Sequence, residues 1–207
     1  LFFNRDELRT RGRAEPPQAL RVNRVRCIAP IDTDSGGSWI VTNEYGITFG
    51  LTNYYTGEFN PYGTRTDTEH PENAWSGAGP NGPANDGVPS RGPLLLSLGK
   101  AATVQDGLEI LRDAPIHRYR PFTVFGIDAT GLVRAVRLHR PGDRRLEPIK
   151  LERPLIASSG FKPDEVIPRR EEIYDRFAAS GIDPGTLLAY HRSTHPSGGA
   201  YSVCMER

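Results

Sequence analysis

Apolar and polar residues alternate most clearly in the segments 38–43 and 47–53, which flank Glu44-Tyr45-Gly46. Alternation with a period of two is typical of a strand with one buried face. A glycine between two such strands can adopt the positive φ that a tight turn needs. The pattern therefore predicts a β-hairpin whose second strand buries one row of side chains, made by Ile47, Phe49, Leu51 and Asn53.

The remaining elements are predicted from the same alternation, from helical spacing and from capping residues. Further strands are expected at 1–3, 25–29, 122–128, 132–139, 155–159 and 201–205. Helices are expected at 94–98 after a cap at Ser90, after a capping box made by Thr103 and Asp106, from 164 or 168 to 179, and from 183 to about 191. The polar, proline-containing segment 10–23 is expected to be a connection.

The order of these elements is strands, helices, strands, helices and a last strand, without strict βαβ alternation. That order favours antiparallel sheets with segregated helices, which is an α+β layered fold, over a Rossmann type. A chain of 207 residues is long enough to bury a substantial core, so 1–207 is expected to be a single domain.

Two features of the sequence depart from an ordinary, complete single domain. Residues 54–89 are rich in Gly, Pro and Asn and form a loop insertion longer than compact domains normally carry. The aromatic side chains of this loop either cover a ligand or pin the loop to the surface.

Both ends of the chain are expected to be truncated, because Leu1-Phe2-Phe3 begins inside a strand and Arg207 directly follows one.

Charge excludes one class of partner. The chain has 26 basic and 25 acidic residues, so its net charge of +1 neither repels nor recruits a polyanion. Segment 5–26 contains seven arginines, but Asp6, Glu7 and Glu15 interrupt it and it has no aromatic residue on which a base could stack. Nucleic acid is therefore not an expected partner.

The cysteines, the apolar stretches and the histidines of the chain indicate its compartment and whether a metal site is expected. Cys27 and Cys204 are too few for a disulfide framework and lie in apolar, strand-like runs, which favours buried free thiols. No apolar stretch is long enough to cross a bilayer, and a cytoplasmic location is expected. His191 and His195 are four residues apart, but Pro196 ends the helix they would need, so no metal site is expected.

The residues most suggestive of chemistry are Asn4-Arg5-Asp6-Glu7, which directly follow an apolar strand. Local composition alone favours a solvated strand end with a local ion pair. Asn53 adds support for a functional site, because an amide on the buried face of a strand must be satisfied internally or face a ligand. An amide N–H group at a strand end is also a suitable donor to a developing oxyanion.

These residues belong to an ordered set of motifs that resembles the NRDE-motif family, also called the Transport and Golgi organisation 2 family. The set comprises Phe3-Asn4-Arg5-Asp6-Glu7, Gly36-Gly37-Ser38-Trp39, Leu51-Thr52-Asn53, Ser90-Arg91-Gly92, Ala157-Ser158-Ser159 and Ser202-Val203-Cys204-Met205. That family in turn resembles N-terminal-nucleophile hydrolases, whose fold is a four-layer αββα sandwich. The resemblance therefore implies that fold here.

The resemblance also implies a reaction, the hydrolysis or transfer of an acyl group from a small non-peptide amide. Family members typically begin Met-Cys, so a nucleophilic cysteine is expected upstream of Leu1, with its own α-amine as base. Asp6 would orient that amine, Arg5 would favour the thiolate or hold a substrate carboxylate, and Asn53 would stabilise the oxyanion. The resemblance thus gives as candidate catalytic residues Asn4, Arg5, Asp6, Glu7 and Asn53, and as candidate substrate-binding residues Trp39, Thr52, Tyr54 and Arg91.

One detail departs from the related choloylglycine hydrolases, in which an asparagine at the end of a Gly-Leu-x run lines the oxyanion hole. The matching run here, Gly50-Leu51-Thr52-Asn53, is one residue longer.

The alternative function is a carrier without catalysis, because family members have been linked to haem trafficking and acyl-lipid handling. No cofactor is expected for the enzyme, whereas a haem carrier would need an axial ligand. The candidates for that ligand are His117, His139, His191 and Cys204.

Overall fold

A computed structural model of the protein describes residues 12–55, 87–159 and 163–192. The chain divides into two compact units. In the described residues, the first unit comprises 12–54 and 87–152, and we call it the sheet unit. The second, the helical unit, is described at Tyr55 and over 153–159 and 163–192.

The sheet unit contains a seven-stranded antiparallel sheet in which the strands lie in chain order. Its strands are β1 (Glu15–Val22), β2 (Val25–Ile31), β3 (Ile40–Asn43), β4 (Thr48–Asn53), β5 (Phe122–Ile127), β6 (Val133–Leu138) and β7 (Glu147–Ile149). The mixture of helices with an antiparallel sheet confirms the predicted α+β class.

The predicted hairpin is present as β3 and β4. Gly46 has a φ of +76° in the turn, the left-handed conformation for which a glycine was expected. Asn43 stabilises the same turn, because its Oδ1 accepts hydrogen bonds from the backbone N–H groups of Tyr45 and Ile47, both 3.1 Å away. The hairpin predicted from the period-two pattern is thus stabilised by the buried side-chain amide of Asn43.

Two helices cover one side of the sheet, which we call the helix face. They are α1 (Arg91–Ser97) and α2 (Val104–Asp113), and each begins at the predicted cap. Ser90 accepts a hydrogen bond from the N–H of Gly92, and Thr103 with Asp106 forms the complete capping box.

The core lies between these helices and the sheet. A Cβ at Gly107 of α2 would lie 2.2 Å from Cζ of Phe49, so the helix backbone packs directly on that fully buried ring. The other side chains of the helix face that join this core include Val41, Leu51, Phe122, Val124, Val136 and Leu138.

The opposite side of the sheet, which we call the second face, carries the alternate residues of the same strands. A Cβ at Gly50 would lie 2.2 Å from Cζ of Phe125, its register partner on β5, so the glycine leaves room for that ring. Phe125 and Ala135 are both buried here without belonging to the core of the helix face.

The segment expected to be a connection, 10–23, contains an edge strand instead, so that prediction was wrong. Most β1 side chains are exposed on both sides, which leaves no alternation to detect. The register shifts between Glu15 and Gln18, where Pro16 and Pro17 have no N–H to donate to the ladder. Prolines are tolerated at this place because β1 is the edge strand of the sheet among the residues that the structure describes.

The strand predicted at 155–159 is also absent. Leu155 packs instead on the small core of the helical unit, and the carbonyl of Ser158 accepts a hydrogen bond from Nη1 of Arg170 at 2.7 Å. A short apolar run buries its side chains equally well against helices, so its composition did not decide between the two structures.

The helical unit has two described helices, α3 (Pro163–Ala178) and α4 (Pro184–Arg192), close to their predicted positions. Their contact is formed by Ile173 and Tyr174 of α3 and by Tyr190 of α4, all buried. No described helix is long and apolar enough to cross a membrane.

Candidate functional site

Two motifs far apart in the sequence meet through their glycines. A Cβ at Gly37 would lie 2.3 Å from the carbonyl carbon of Gly92, and one at Gly92 would lie 2.9 Å from Cα of Gly37. Only hydrogen atoms in place of side chains permit such an approach of two backbones. The segment 36–39 is thereby held against the first turn of α1.

The segment before β3 is fixed from its other side by a hydrogen-bonded loop. The N–H of Asp32 donates to the carbonyl of Gly37, and the N–H of Gly36 donates to the carbonyl of Asp32, both at 2.8 Å. The hydroxyl of Ser38, which is buried, donates to the carbonyl of Ile40 at 2.7 Å. Trp39 follows at once, and its carbonyl accepts from the N–H of Leu51 at 2.9 Å.

The carbonyl of Pro121, just before β5, joins two more of the predicted residues. Nη1 of Arg91 donates to this oxygen at 2.8 Å, and the backbone N–H of Tyr54 donates to it at 3.2 Å. Pro121 is itself fully buried. Trp39, Arg91 and the end of β4 are therefore gathered around one end of the sheet, although Trp39 and Arg91 lie 52 positions apart in the chain.

The register of β4 separates the predicted residues onto two faces. Asn53 is the partner of Phe122, and it alternates with Leu51 on the helix face, as the sequence predicts. Thr52 is the partner of Thr123 and belongs to the second face with Gly50. The additional residue in Gly50-Leu51-Thr52-Asn53 thus moves the asparagine to the side opposite Thr52.

The second face carries a row of polar side chains in direct register, Thr52 on β4, Thr123 on β5 and Arg137 on β6. We call these three residues the polar row. Nε of Arg137 donates to Oγ1 of Thr123 at 3.0 Å, and Thr123 is buried. The guanidinium carbon of Arg137 also lies 4.1 Å from the centre of the Tyr54 ring.

A histidine borders the polar row. The ring of His139 meets the Tyr54 ring edge to face, with centres 5.4 Å apart, and its Nε2 lies 3.1 Å from Oε2 of Glu147. Tyr54 thus has an arginine over its ring face and a histidine against it, and both contacts fix its position.

Thr123 and Arg137 were missed as candidate site residues from the sequence. Period-two alternation places Thr123 on one face of β5 with Phe125, and Arg137 on one face of β6 with Ala135, but both faces of these strands carry apolar residues, so neither residue stands out in the sequence. Alternation within a strand does not give the register between strands. Only that register aligns Thr123 and Arg137 with Thr52.

Cys27 is a poor nucleophile in this environment. It is 3% exposed, and its Sγ donates to the carbonyl of Gly99 at 3.4 Å. Burial raises the pKa of the Cys27 thiol, so the reactive thiolate is disfavoured. The free, buried thiol expected from the sequence is confirmed at this position.

Several predicted residues lie outside the described residues, among them Asn4, Arg5, Asp6, Glu7 and Cys204. Of the candidate haem ligands, His117 lies in a 3-10 turn after α2 and His191 near the end of α4, where burial lowers the pKa of its imidazole. In the part of the chain that the structure describes, no three His, Cys, Asp or Glu side chains come together as a metal site would require.

A comparison with protein-family models found none that matches this chain, and a comparison with curated proteins found no match either. The resemblance to the NRDE-motif family therefore rests on the residues quoted above and stays a prediction.

Proposed function

We propose that this protein is an NRDE-motif family member with an N-terminal-nucleophile-hydrolase fold, and that it hydrolyses or transfers the acyl group of a small non-peptide amide. The observation that carries the proposal is the convergence of three motif segments, 36–39, 51–53 and 90–92, at one end of the sheet.

The second face of the sheet supports the four-layer αββα arrangement. Thr123, Phe125 and Ala135 are buried on that face although the helix-face core does not include them. A second sheet packed there would account for their burial, and it would make the polar row part of the wall between two sheets.

We assign the substrate to the second face because the helix face has no space for one at this level. Phe122, the register partner of Asn53 on β5, and Leu138, the partner of Phe122 on β6, are fully buried in the apolar core. Thr52 and Tyr54 are half-buried and belong to the face that carries Arg137. This makes Thr52 a better oxyanion donor than Asn53, whose predicted role is tested by the same experiment.

In the proposed reaction the nucleophile is the N-terminal cysteine that the family pattern expects upstream of Leu1. Its α-amine, with a pKa of about 7.7–8.0, takes the thiol proton near neutral pH. The thiolate attacks the amide carbon, the oxyanion is stabilised by hydrogen bonds, and the C–N bond breaks as the amine leaves with the proton. Water then hydrolyses the thioester, or an acceptor amine or alcohol takes the acyl group.

The test uses the full-length protein and its variant with alanine at the N-terminal cysteine, with release of amine from a panel of acyl amides as the readout. The alanine variant is expected to lose activity, and amine release that is unchanged by it contradicts the proposal.

Two further variants locate the oxyanion donor. Thr52→Val is expected to lower kcat about 10²-fold, the effect of removing one such donor, whereas Asn53→Ala changes kcat less. Thr42→Val is the matched control, since Thr42 is an exposed residue on β3 whose hydroxyl bonds only that of Thr48 among the described residues. A larger kcat loss in Asn53→Ala than in Thr52→Val would return the oxyanion role to Asn53.

A further inference from the structure

The guanidinium of Arg137 is held by contacts on two sides, and its terminal nitrogens have no polar partner among the described residues. Its Nε donates to Oγ1 of Thr123, and its Cζ lies over the ring of Tyr54, 4.1 Å from the ring centre. Among the residues that the structure describes, neither terminal nitrogen of Arg137 takes part in a hydrogen bond or an ion pair.

Both terminal nitrogens lie on one edge of the guanidinium. Because Nε is occupied, this edge presents two nearly parallel N–H groups, a spacing that matches the two oxygens of a carboxylate. The anchoring by Thr123 and Tyr54 lowers the rotamer entropy that a free arginine would lose on binding. Such a side chain is prepared for bidentate recognition of an anion.

The neighbouring carboxylate does not occupy this edge. Glu147 is the register partner of Arg137 on β7, but its Oε2 lies 3.1 Å from Nε2 of His139, and no ion pair joins Glu147 to Arg137. Glu147 is also exposed, whereas Arg137 is half-buried. An anion that approaches Arg137 would therefore not have to displace an internal partner.

We propose that Arg137 is the specificity-determining residue that binds a carboxylate on the substrate, so that the substrate class is acyl amides carrying a carboxylate, such as N-acyl amino acids. The register supports the geometry. Thr52 is two strands from Arg137 in the polar row, and strands are about 4.8 Å apart, so roughly 10 Å separates their backbones. That span suits an amide at Thr52 and a carboxylate a few bonds away.

The reaction named here rests on the proposed function, but the binding of a carboxylate does not, since it needs no nucleophile. The experiment therefore measures binding to the full-length protein with alanine at the N-terminal cysteine, by calorimetry. The probes are N-hexanoylglycine and its neutral counterpart N-hexanoylglycinamide, which differ only in the carboxylate. Inorganic phosphate is a third probe, because the same arginine edge could bind a phosphate.

The wild-type site on this background is expected to bind the acid at least about tenfold more tightly than the amide, the effect of one charge-assisted hydrogen-bonded pair. Arg137→Gln should bring the ratio of the two dissociation constants to about one, and Arg137→Lys should keep only part of it, because an ammonium has no fork. Arg134→Gln is the matched control, since Arg134 is an exposed arginine of the same strand in register with Gly126, outside the polar row.

A purely structural role of Arg137 would change stability, or the affinity for both probes alike, but not their ratio. Equal binding of acid and amide by the wild-type site would overturn the proposal, as would a ratio retained in Arg137→Gln or tighter binding of phosphate than of the acid. To include other carboxylates, the Nε–Hε resonance of Arg137 is followed by NMR with hexanoate, benzoate and N-hexanoylglycine. The absence of a shift with all three would also overturn it.

If the acid is bound selectively through Arg137 but no amine is released by the protein with its cysteine, the carboxylate site stands and the proposed enzyme function fails. If amine release depends on the cysteine but not on Arg137, the proposed enzyme function stands and the carboxylate site fails.

Discussion

Gly37 and Gly92 touch backbone to backbone, with space for a Cβ on neither: one added at Gly37 would lie 2.3 Å from the carbonyl carbon of Gly92. Their contact joins the segment before β3 to the first turn of α1. Because Arg91 directly precedes Gly92 and only Ser38 separates Gly37 from Trp39, the geometry of this contact constrains the positions of both.

Alanine at either glycine is expected to force the two segments apart. Gly37→Ala and Gly92→Ala should each destabilise the protein by about 1–3 kcal/mol, the usual effect of overpacking, and should lower the proposed activity as Trp39 and Arg91 shift. Urea unfolding measures the first effect and amine release the second.

Gly185→Ala is the control for these two variants. A Cβ at Gly185 would meet only a carboxylate oxygen of Asp183, at 3.1 Å, and alanine favours the helical conformation of α4. Its stability should be unchanged or higher. Wild-type stability in both Gly37→Ala and Gly92→Ala would show that the contact does not constrain the fold.

Asn43 should be the most sensitive polar residue of the core. Its Nδ2 donates to the carbonyls of Gly99 at 3.1 Å and Ala101 at 2.7 Å, while its Oδ1 accepts from two N–H groups of the hairpin turn. Asn43→Ala leaves these buried groups without a partner and is expected to lower the free energy of unfolding by about 1–3 kcal/mol.

Asn43→Asp separates the two halves of this network, since a carboxylate keeps the acceptor but faces two carbonyl oxygens that it cannot satisfy. It should be at least as unstable as Asn43→Ala near neutral pH in urea unfolding. An Asn43→Asp variant as stable as the wild type would show that the donor bonds to Gly99 and Ala101 contribute nothing.

The buried thiol of Cys27 predicts a loss of stability in alkali. Burial raises its pKa above the usual value of 9.0, so between 9.0 and the raised pKa the unfolded chain has released the thiol proton and the folded chain has not. The contribution of this thiol to stability is present below pH 9.0 and is lost as the pH rises through that window.

The measurement compares the free energy of unfolding of the wild type and Cys27→Ala at pH 7 and pH 10. The wild-type protein should lose more stability between the two than the variant, and a thiol reagent should modify Cys27 much more slowly in the folded protein than in urea. An identical pH dependence in both proteins, or rapid modification of the folded protein, would contradict the assignment.

The secondary structure was predicted best where one local rule acted without competition. The hairpin of β3 and β4 follows from its alternation and from Gly46, and α2 follows from the box of Thr103 and Asp106. The same rules failed at β1, which is exposed on both sides and contains Pro16-Pro17, because nothing but its pairing with β2 makes it a strand.

The candidate site was predicted only in its components. The motifs drew attention to Trp39, Thr52 and Arg91, but a motif does not contain the distance between two segments of chain. Long-range contacts supplied it, through the approach of Gly37 to Gly92 and the bond of Arg91 to the carbonyl of Pro121. Arg137 was missed because its partner Thr123 lies on a different strand.

The sequence by itself determined the α+β class, the positions of the principal helices and the strand alternation that puts Asn53 in line with Leu51. These depend on side-chain spacing within one element, which is local information. Only the tertiary structure decided that Thr52, Thr123 and Arg137 form one row. The physical reason is that strand register arises from hydrogen bonds between segments distant in the chain, and one residue of slip would move every side chain to the other face.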